Sequence, residues 1–167
     1  VTIYEKNKTL GRKLLVAGKG GFNLTHSEPI DEFINRYTPT DFLEKSLLNF
    51  NNLDLRNWLK SIGIPTYIGS SKRVYPEKGI KPITILNAIL AVLETQNVEV
   101  KYNHTWTGWG LNNTLIFNSD SEITSDYTIF ALGGGSWKVT GSDGLWVDLF
   151  KTKDITTVPF QASNCAY

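Results

Sequence analysis

The sequence predicts an α/β fold on three observations. Val1-Thr2-Ile3-Tyr4 is a short alternating apolar segment that ends in an acid, Glu5, and runs into a glycine-rich stretch. Ile80 to Gln96 places Ile83, Leu86, Ile89, Leu90 and Leu93 at helical spacing. Ser125 to Leu132 is an apolar run with β-branched residues that stops at Gly133-Gly134-Gly135-Ser136. A buried parallel strand ending in glycines marks the carboxyl edge of a sheet, where α/β proteins bind ligands.

Taken in order, Val1 to Tyr4 reads as a buried strand. Thr9 to Ala17 forms a short helix with Leu10, Leu14 and Leu15 on one side. The stretch Gly11 to Thr25, with Arg12, Lys13 and Lys19, follows a carboxylate and suits a nucleotide. A carboxylate accepts hydrogen bonds from ribose hydroxyls. Glycines let backbone N–H groups approach a phosphate or a flat ring, and cations offset phosphate charge. The plainer alternative is a surface acid followed by a mobile turn. An NTPase phosphate loop is excluded by spacing, because too many residues separate Gly11 from Gly18 and Lys19 precedes Gly20 rather than Ser or Thr. Asn23 and Thr25 offer side-chain hydrogen bonds. His26 titrates near neutral pH when exposed, though a lone loop histidine is more often simply solvated.

Pro29 to Gly63 reads as helix in three pieces, interrupted at Thr38-Pro39-Thr40-Asp41 and at Asn51-Asn52. Phe42, Leu43, Leu47, Leu48 and Phe50 form an apolar face. Asn52 or Asp54 is the expected cap of the third piece, and Trp58 is expected in the core. Ile64 to Ile68 and Arg73 to Tyr75 are short strands around Gly69-Ser70-Ser71. Val98 to Asn118 reads as β, and with the turn at Ser119 gives a small antiparallel meander at about 98–125. Its aromatics lack interleaved basic residues, which favours cross-strand packing over base stacking. Gly141-Ser142-Asp143-Gly144 leads into a helix, Leu145 to Phe150, with Asp143 as cap. Ile155 to Val158 is the last strand.

With 167 residues the chain is one domain by length and buries a proper core. A net charge of +1 recruits neither nucleic acid nor an anionic membrane. The single cysteine, Cys165, excludes a disulfide framework and fits a reducing cytoplasm. There is no Ser/His/Asp set, C-x-x-C or metal cluster. The chain opens with Val and holds no Met, so it reads as a piece of a longer protein whose remainder is a partner.

The glycine-rich stretch resembles the signature of the HI0933-like (YhiN-like) flavoproteins, predicted FAD-dependent oxidoreductases. It is closest to the subgroup whose loop reads GKGG-x-NLTHSEP, here Gly18 to Pro29. Arg73-Val74-Tyr75-Pro76, Ala131 to Trp137 and Gly141 to Gly144 match in the same order. Ala162-Ser163-Asn164-Cys165-Ala166-Tyr167 resembles the family's P-x-N-C-G-F, with Ala166 where Gly is usual. The resemblance implies a three-layer α/β domain of Rossmann (FAD/NAD(P)-binding) type, truncated at its first strand, with the β-meander attached. The missing upstream G-x-G-x-x-G turn would hold the pyrophosphate. It implies a flavoprotein that moves electrons between FAD and a small organic substrate, with NADH or NADPH left open as reductant. Glu5 would hold the adenosine ribose. Lys13 and the loop of Gly18, Lys19, Gly20, Gly21, Asn23 and Leu24 would line the cofactor. Gly133 and Gly134 would allow close approach near the adenosine end, and Arg73 either faces an anionic group or is solvated. The alternative is a non-catalytic Rossmann-like binding or scaffold domain, since fold does not fix function.

Overall fold

The computed structural model describes residues 1–16, 22–118 and 120–161. The chain divides into two compact units, one of Val1–Lys13 with the residues from Val98 onward, the other of Leu14–Asn97.

In the first unit, β1 (Thr2–Tyr4) pairs in parallel with β5 (Glu99–Lys101), Ile3 opposite Val100. Glu5 extends the pair by donating its N–H to Lys101 O at 2.9 Å. The strand at Glu99–Lys101 therefore belongs to a parallel pair. The antiparallel meander is β6 (Trp106–Trp109), β7 (Leu115–Phe117) and β8 (Glu122–Ile123). The turn between β6 and β7 places Asn112 and Asn113 at positive φ, which asparagine tolerates better than most residues. Leu115 and Phe117 are buried, and Tyr4 stacks on Phe117 with ring centroids 4.5 Å apart. Trp106, Trp109 and Phe130 form a cluster of mostly edge-to-face rings with Phe150 of α6 (Trp146–Lys151).

Two expected strands are absent. Residues 125–132 are not paired, and Tyr127 and Ile129 are more than nine-tenths exposed. The run has strand propensity, but among the described residues no strand offers it a ladder. Ser125 Oγ and Thr128 Oγ1, 2.9 Å apart, add a local bond that competes with extension. Residues 155–158 are likewise irregular, with Val158 exposed.

In the second unit, β2 (Thr25–His26), β4 (Arg73–Pro76) and β3 (Thr66–Ile68) form an antiparallel sheet in the order β2-β4-β3. The helices are α1 (Arg12–Val16), at the division between the units, then α2 (Ile30–Ile34), α3 (Thr40–Asn49), α4 (Asn52–Ser61) and α5 (Pro82–Thr95). Leu59, Ile64 and Ile85 make the core, with Leu24, Trp58 and Ile89 packed against it. On α5 the expected face holds at Leu86, which is buried, and at Ile89, Leu90 and Leu93, which are partly buried; Ile85 is buried beside it and Ile83, in the first turn, is exposed. On α3, Phe42, Leu48 and Phe50 are exposed. The cap of α4 is Asn51, whose Oδ1 accepts from Leu53 N (2.8 Å) and Asp54 N (3.1 Å) while Asp54 Oδ2 accepts from Asn51 N (2.9 Å). Of the two expected caps, Asp54 takes part as the N3 acid of this capping box, while Asn52 Oδ1 adds an acceptor for Leu53 N (3.1 Å) and its Nδ2 is used elsewhere.

Candidate functional site

The segment after β1 and the loop 133–144 meet within the first unit, and a polar cluster forms where they do. Glu5 is half-buried at the strand end. Its Oε1 accepts from Asn7 N at 2.7 Å and from Asn7 Nδ2 at 2.6 Å. Asn7 Oδ1 in turn accepts from Arg12 Nη1 at 3.1 Å. The carboxylate is thereby oriented by its own turn, yet an ionised carboxylate has about four lone-pair sites and retains capacity for further donors.

Lys6 Nζ lies 2.7 Å from Asp143 Oδ2, and Asp143 Oδ1 accepts from Leu145 N at 3.2 Å. The hydrogen bond from Lys6, opposed by partial desolvation, holds the Asp143 carboxyl below the usual carboxylate range. The expectation of Asp143 as the helix cap is not met: α6 begins at Trp146 with Leu145 at its N-cap and no side-chain cap bond, so the Asp143 contact with Leu145 N shapes the turn ahead of the helix.

Lys13 Nζ donates to Ser136 Oγ at 2.8 Å and reaches Ser142 Oγ at 3.4 Å. Ser142 is buried, and its backbone is paired with that of Trp137. Two glycines let the loops close. Gly133 has φ +72°, and a Cβ there would sit 3.6 Å from Ser142 Oγ. Gly141 has φ +92°, and a Cβ there would come within 3.1 Å of Lys6 Cε and 3.2 Å of Asn7 Nδ2. Trp146 Nε1 donates to Gly133 O at 2.9 Å. Beside Gly133 lies a cleft of about 310 Å³ lined by Phe130, Ala131, Leu132, Trp146 and Phe150.

An exposed ammonium set among hydroxyls is an anion receptor. A carboxylate at the strand end accepts from hydroxyls. An aromatic-walled cleft against bare glycine backbone suits a flat ring. This donor set fits a nucleotide with phosphate, sugar and base.

The family model of the HI0933-like protein Rossmann domain matches residues 1–162. The chain belongs to the HI0933-like family. The parallel pair β1–β5, with the polar cluster at the carboxyl end of β1, is the part of this α/β fold where a Rossmann domain gathers its ligand groups.

In this HI0933-like chain, Glu5, Lys13, Gly133 and Gly134 lie in the first unit. Lys13 and Gly133 converge through Ser142, and a Cβ at Gly134 would meet open space. Asn23 and Leu24 lie in the second unit. Asn23 is exposed, while Leu24 N donates to Val74 O at 2.8 Å and its side chain packs on the core. Gly18, Lys19, Gly20 and Gly21 lie outside the described residues. Asn7, Ser136 and Ser142 join the cluster without having been among the residues expected from sequence. Only Asn7, two residues after the acid, carried a local signal, that of an Asx turn.

The second unit organises the HSEP segment. Glu28 is buried, and its carboxylate accepts from Arg36 Nε (3.1 and 3.3 Å) and Nη2 (2.8 Å). The Arg36 hydrogen bond, opposed by desolvation, lowers the Glu28 pKa, and the same bond raises that of Arg36. Asn52 Nδ2 donates to His26 O (2.6 Å) and Glu28 O (2.8 Å). His26 is half-buried rather than simply solvated, with Nε2 3.2 Å from Ser71 O and Nδ1 3.5 Å from Glu28 Oε1. Among the described residues no group of three or more His, Cys, Asp or Glu could hold a metal ion, and no helix is long and apolar enough to cross a membrane.

Proposed function

We propose that this chain supplies FAD-binding groups to a cytoplasmic flavoprotein oxidoreductase acting on a small organic substrate. The observation that carries the reading is Lys13 Nζ between the hydroxyls of Ser136 and Ser142, beside Gly133 and close after the end of β1. Lys13, Ser136 and Ser142 would hold phosphate oxygens, Glu5 the ribose hydroxyls, and the cleft beside Gly133 the adenine. Gly18–Gly21, Asn23 and Leu24 would line the cofactor elsewhere. Bound flavin supplies the redox chemistry, with NADH or NADPH as the candidate reductants. The chain's own residues bind, orient and screen charge. Asn7 keeps the Glu5 carboxylate aimed, and the Ser136 and Ser142 hydroxyls hold the Lys13 ammonium in place.

The test is an FAD titration followed by flavin fluorescence, on this chain and on a form extended upstream. Lys13→Ala is expected to weaken FAD about 10- to 100-fold, the range for removing a charged hydrogen-bond donor. Glu5→Ala is expected to weaken FAD and adenosine alike. Absence of flavin binding by both forms would refute the proposal and leave the non-catalytic scaffold.

A further inference from the structure

The second unit holds a cleft of about 300 Å³ that the flavin reading does not use. It is bounded by residues 27–30, by the first turns of α4 and by Ile68 of β3. Most polar groups in its wall are already committed. The Glu28 carboxylate is taken by Arg36, and the Asn52 amide by His26 O and Glu28 O. These bonds hold the shape of the cleft.

Arg56 differs. It is half-buried, and its side-chain hydrogen bond among the described residues runs from Nε to Thr66 Oγ1 at 3.1 Å. No carboxylate of the described residues pairs with it. A guanidinium carries five N–H donors, so with Nε engaged its terminal Nη edge is left for a ligand. Ile30, Leu53 and Ile68 line the same cleft as apolar wall.

We infer that this cleft binds a small organic carboxylate, with its carboxylate on the Nη edge of Arg56 and its hydrocarbon part against Ile30, Leu53 and Ile68. One planar cation with two parallel donors matches a carboxylate. The wall of Ile30, Leu53 and Ile68 offers no donors to the additional oxygens and charge of a phosphate dianion. The cleft volume lies at the small end for ligand sites, which suits a short acid. The inference stands without the flavin reading, because every residue it uses belongs to Leu14–Asn97.

The test titrates the protein with hexanoate, hexanol and hexylammonium, following backbone amide shifts at Asn51, Leu53 and Ile68. Hexanoate is expected to bind saturably, at least tenfold tighter than hexanol, with hexylammonium inert. Arg56→Gln is expected to weaken hexanoate at least tenfold. Leu53→Gln, at a site already 57% exposed and therefore tolerant in folding, is expected to weaken it several-fold. Equal binding of all three probes, no saturable shift, or hexanoate binding unchanged in the variants would overturn the inference.

Discussion

The Gly133→Ala variant puts a Cβ on backbone at φ +72°, and Gly134→Ala puts one next door on backbone without positive φ. The left-handed region costs an L-residue about 1–2 kcal/mol. Both substitutions also restrict the unfolded chain, which stabilises by about 0.4–1 kcal/mol each. Comparing the two variants cancels that shared effect and isolates the strain. Steric overlap adds little at either site, since the nearest atom to a Cβ at 133 is Ser142 Oγ at 3.6 Å and none lies within 4 Å at 134. Gly133→Ala is therefore expected to be less stable than Gly134→Ala by about 1–2 kcal/mol, or roughly 2–8 °C in Tm for a chain of this size. Urea unfolding followed by tryptophan fluorescence measures it, and Trp146, bonded to Gly133 O, reports from the spot. Under the flavin reading Gly133→Ala also weakens FAD, because the methyl occupies the gap between backbone and Ser142. Equal stability of the two variants within 0.5 kcal/mol, the usual additivity error, would refute the assignment of Gly133 as the strained junction.

Three other perturbations read out the second unit. Asn51→Ala removes the acceptor of Asp54 N and the nearer of two acceptors of Leu53 N, and is expected to cost about 0.5–2 kcal/mol in thermal unfolding, with Asn51→Asp near neutral. Leu59→Ala, at a site 3% exposed in the core, is expected to cost about 2–5 kcal/mol in denaturant titration. Glu28 has a folded-state pKa below its unfolded value, so its contribution is present above the ordinary glutamate range and lost as pH falls through the lowered folded value. Glu28→Gln is accordingly expected to be destabilised at pH 7, with the gap to the parent narrowing below about pH 4, as followed by melts across pH.

The elements that were legible are those whose signal is local. The hairpin of Thr66–Ile68 and Arg73–Pro76 follows from two β-rich runs around a Gly-Ser-Ser turn. The three-piece reading of 29–63 follows from Pro39, which precedes α3, and from the Asn pair, of which Asn51 caps the start of α4. The run 125–132 misled because propensity states what a segment tolerates and not which edge it finds. Its β-branched residues are real, but a strand is a property of two chains of backbone and only one is present among the described residues. The face of α3 misled for a related reason. Periodicity marks a stripe, and which part of the stripe is covered depends on the neighbour that packs there.

The candidate site separates the same way. Glu5, Lys13 and Gly133 were legible because each carries its chemistry in its own side chain or lack of one. Ser136 and Ser142 were not, because a serine acquires a role only from its partner, and theirs lies more than 120 residues away at Lys13. The contrast between the two carboxylates near the end of β1 sharpens the point. Sequence favours Glu5 over Asp143 as a ribose acceptor through position alone. The structure supplies an independent physical reason, since Asp143 is neutralised by Lys6 at 2.7 Å whereas the partners of Glu5 are the uncharged donors of Asn7. An acid bonded to neutral donors keeps its full charge for an incoming hydroxyl, and an acid already in an ion pair would have to give up that pair first. Glu5→Ala and Asp143→Asn should therefore part company. The first is expected to weaken adenosine binding, and the second to loosen the contact of loop 141–144 with Lys6 while leaving adenosine affinity within about fivefold, since the partly exposed pair it breaks is worth at most about 1 kcal/mol.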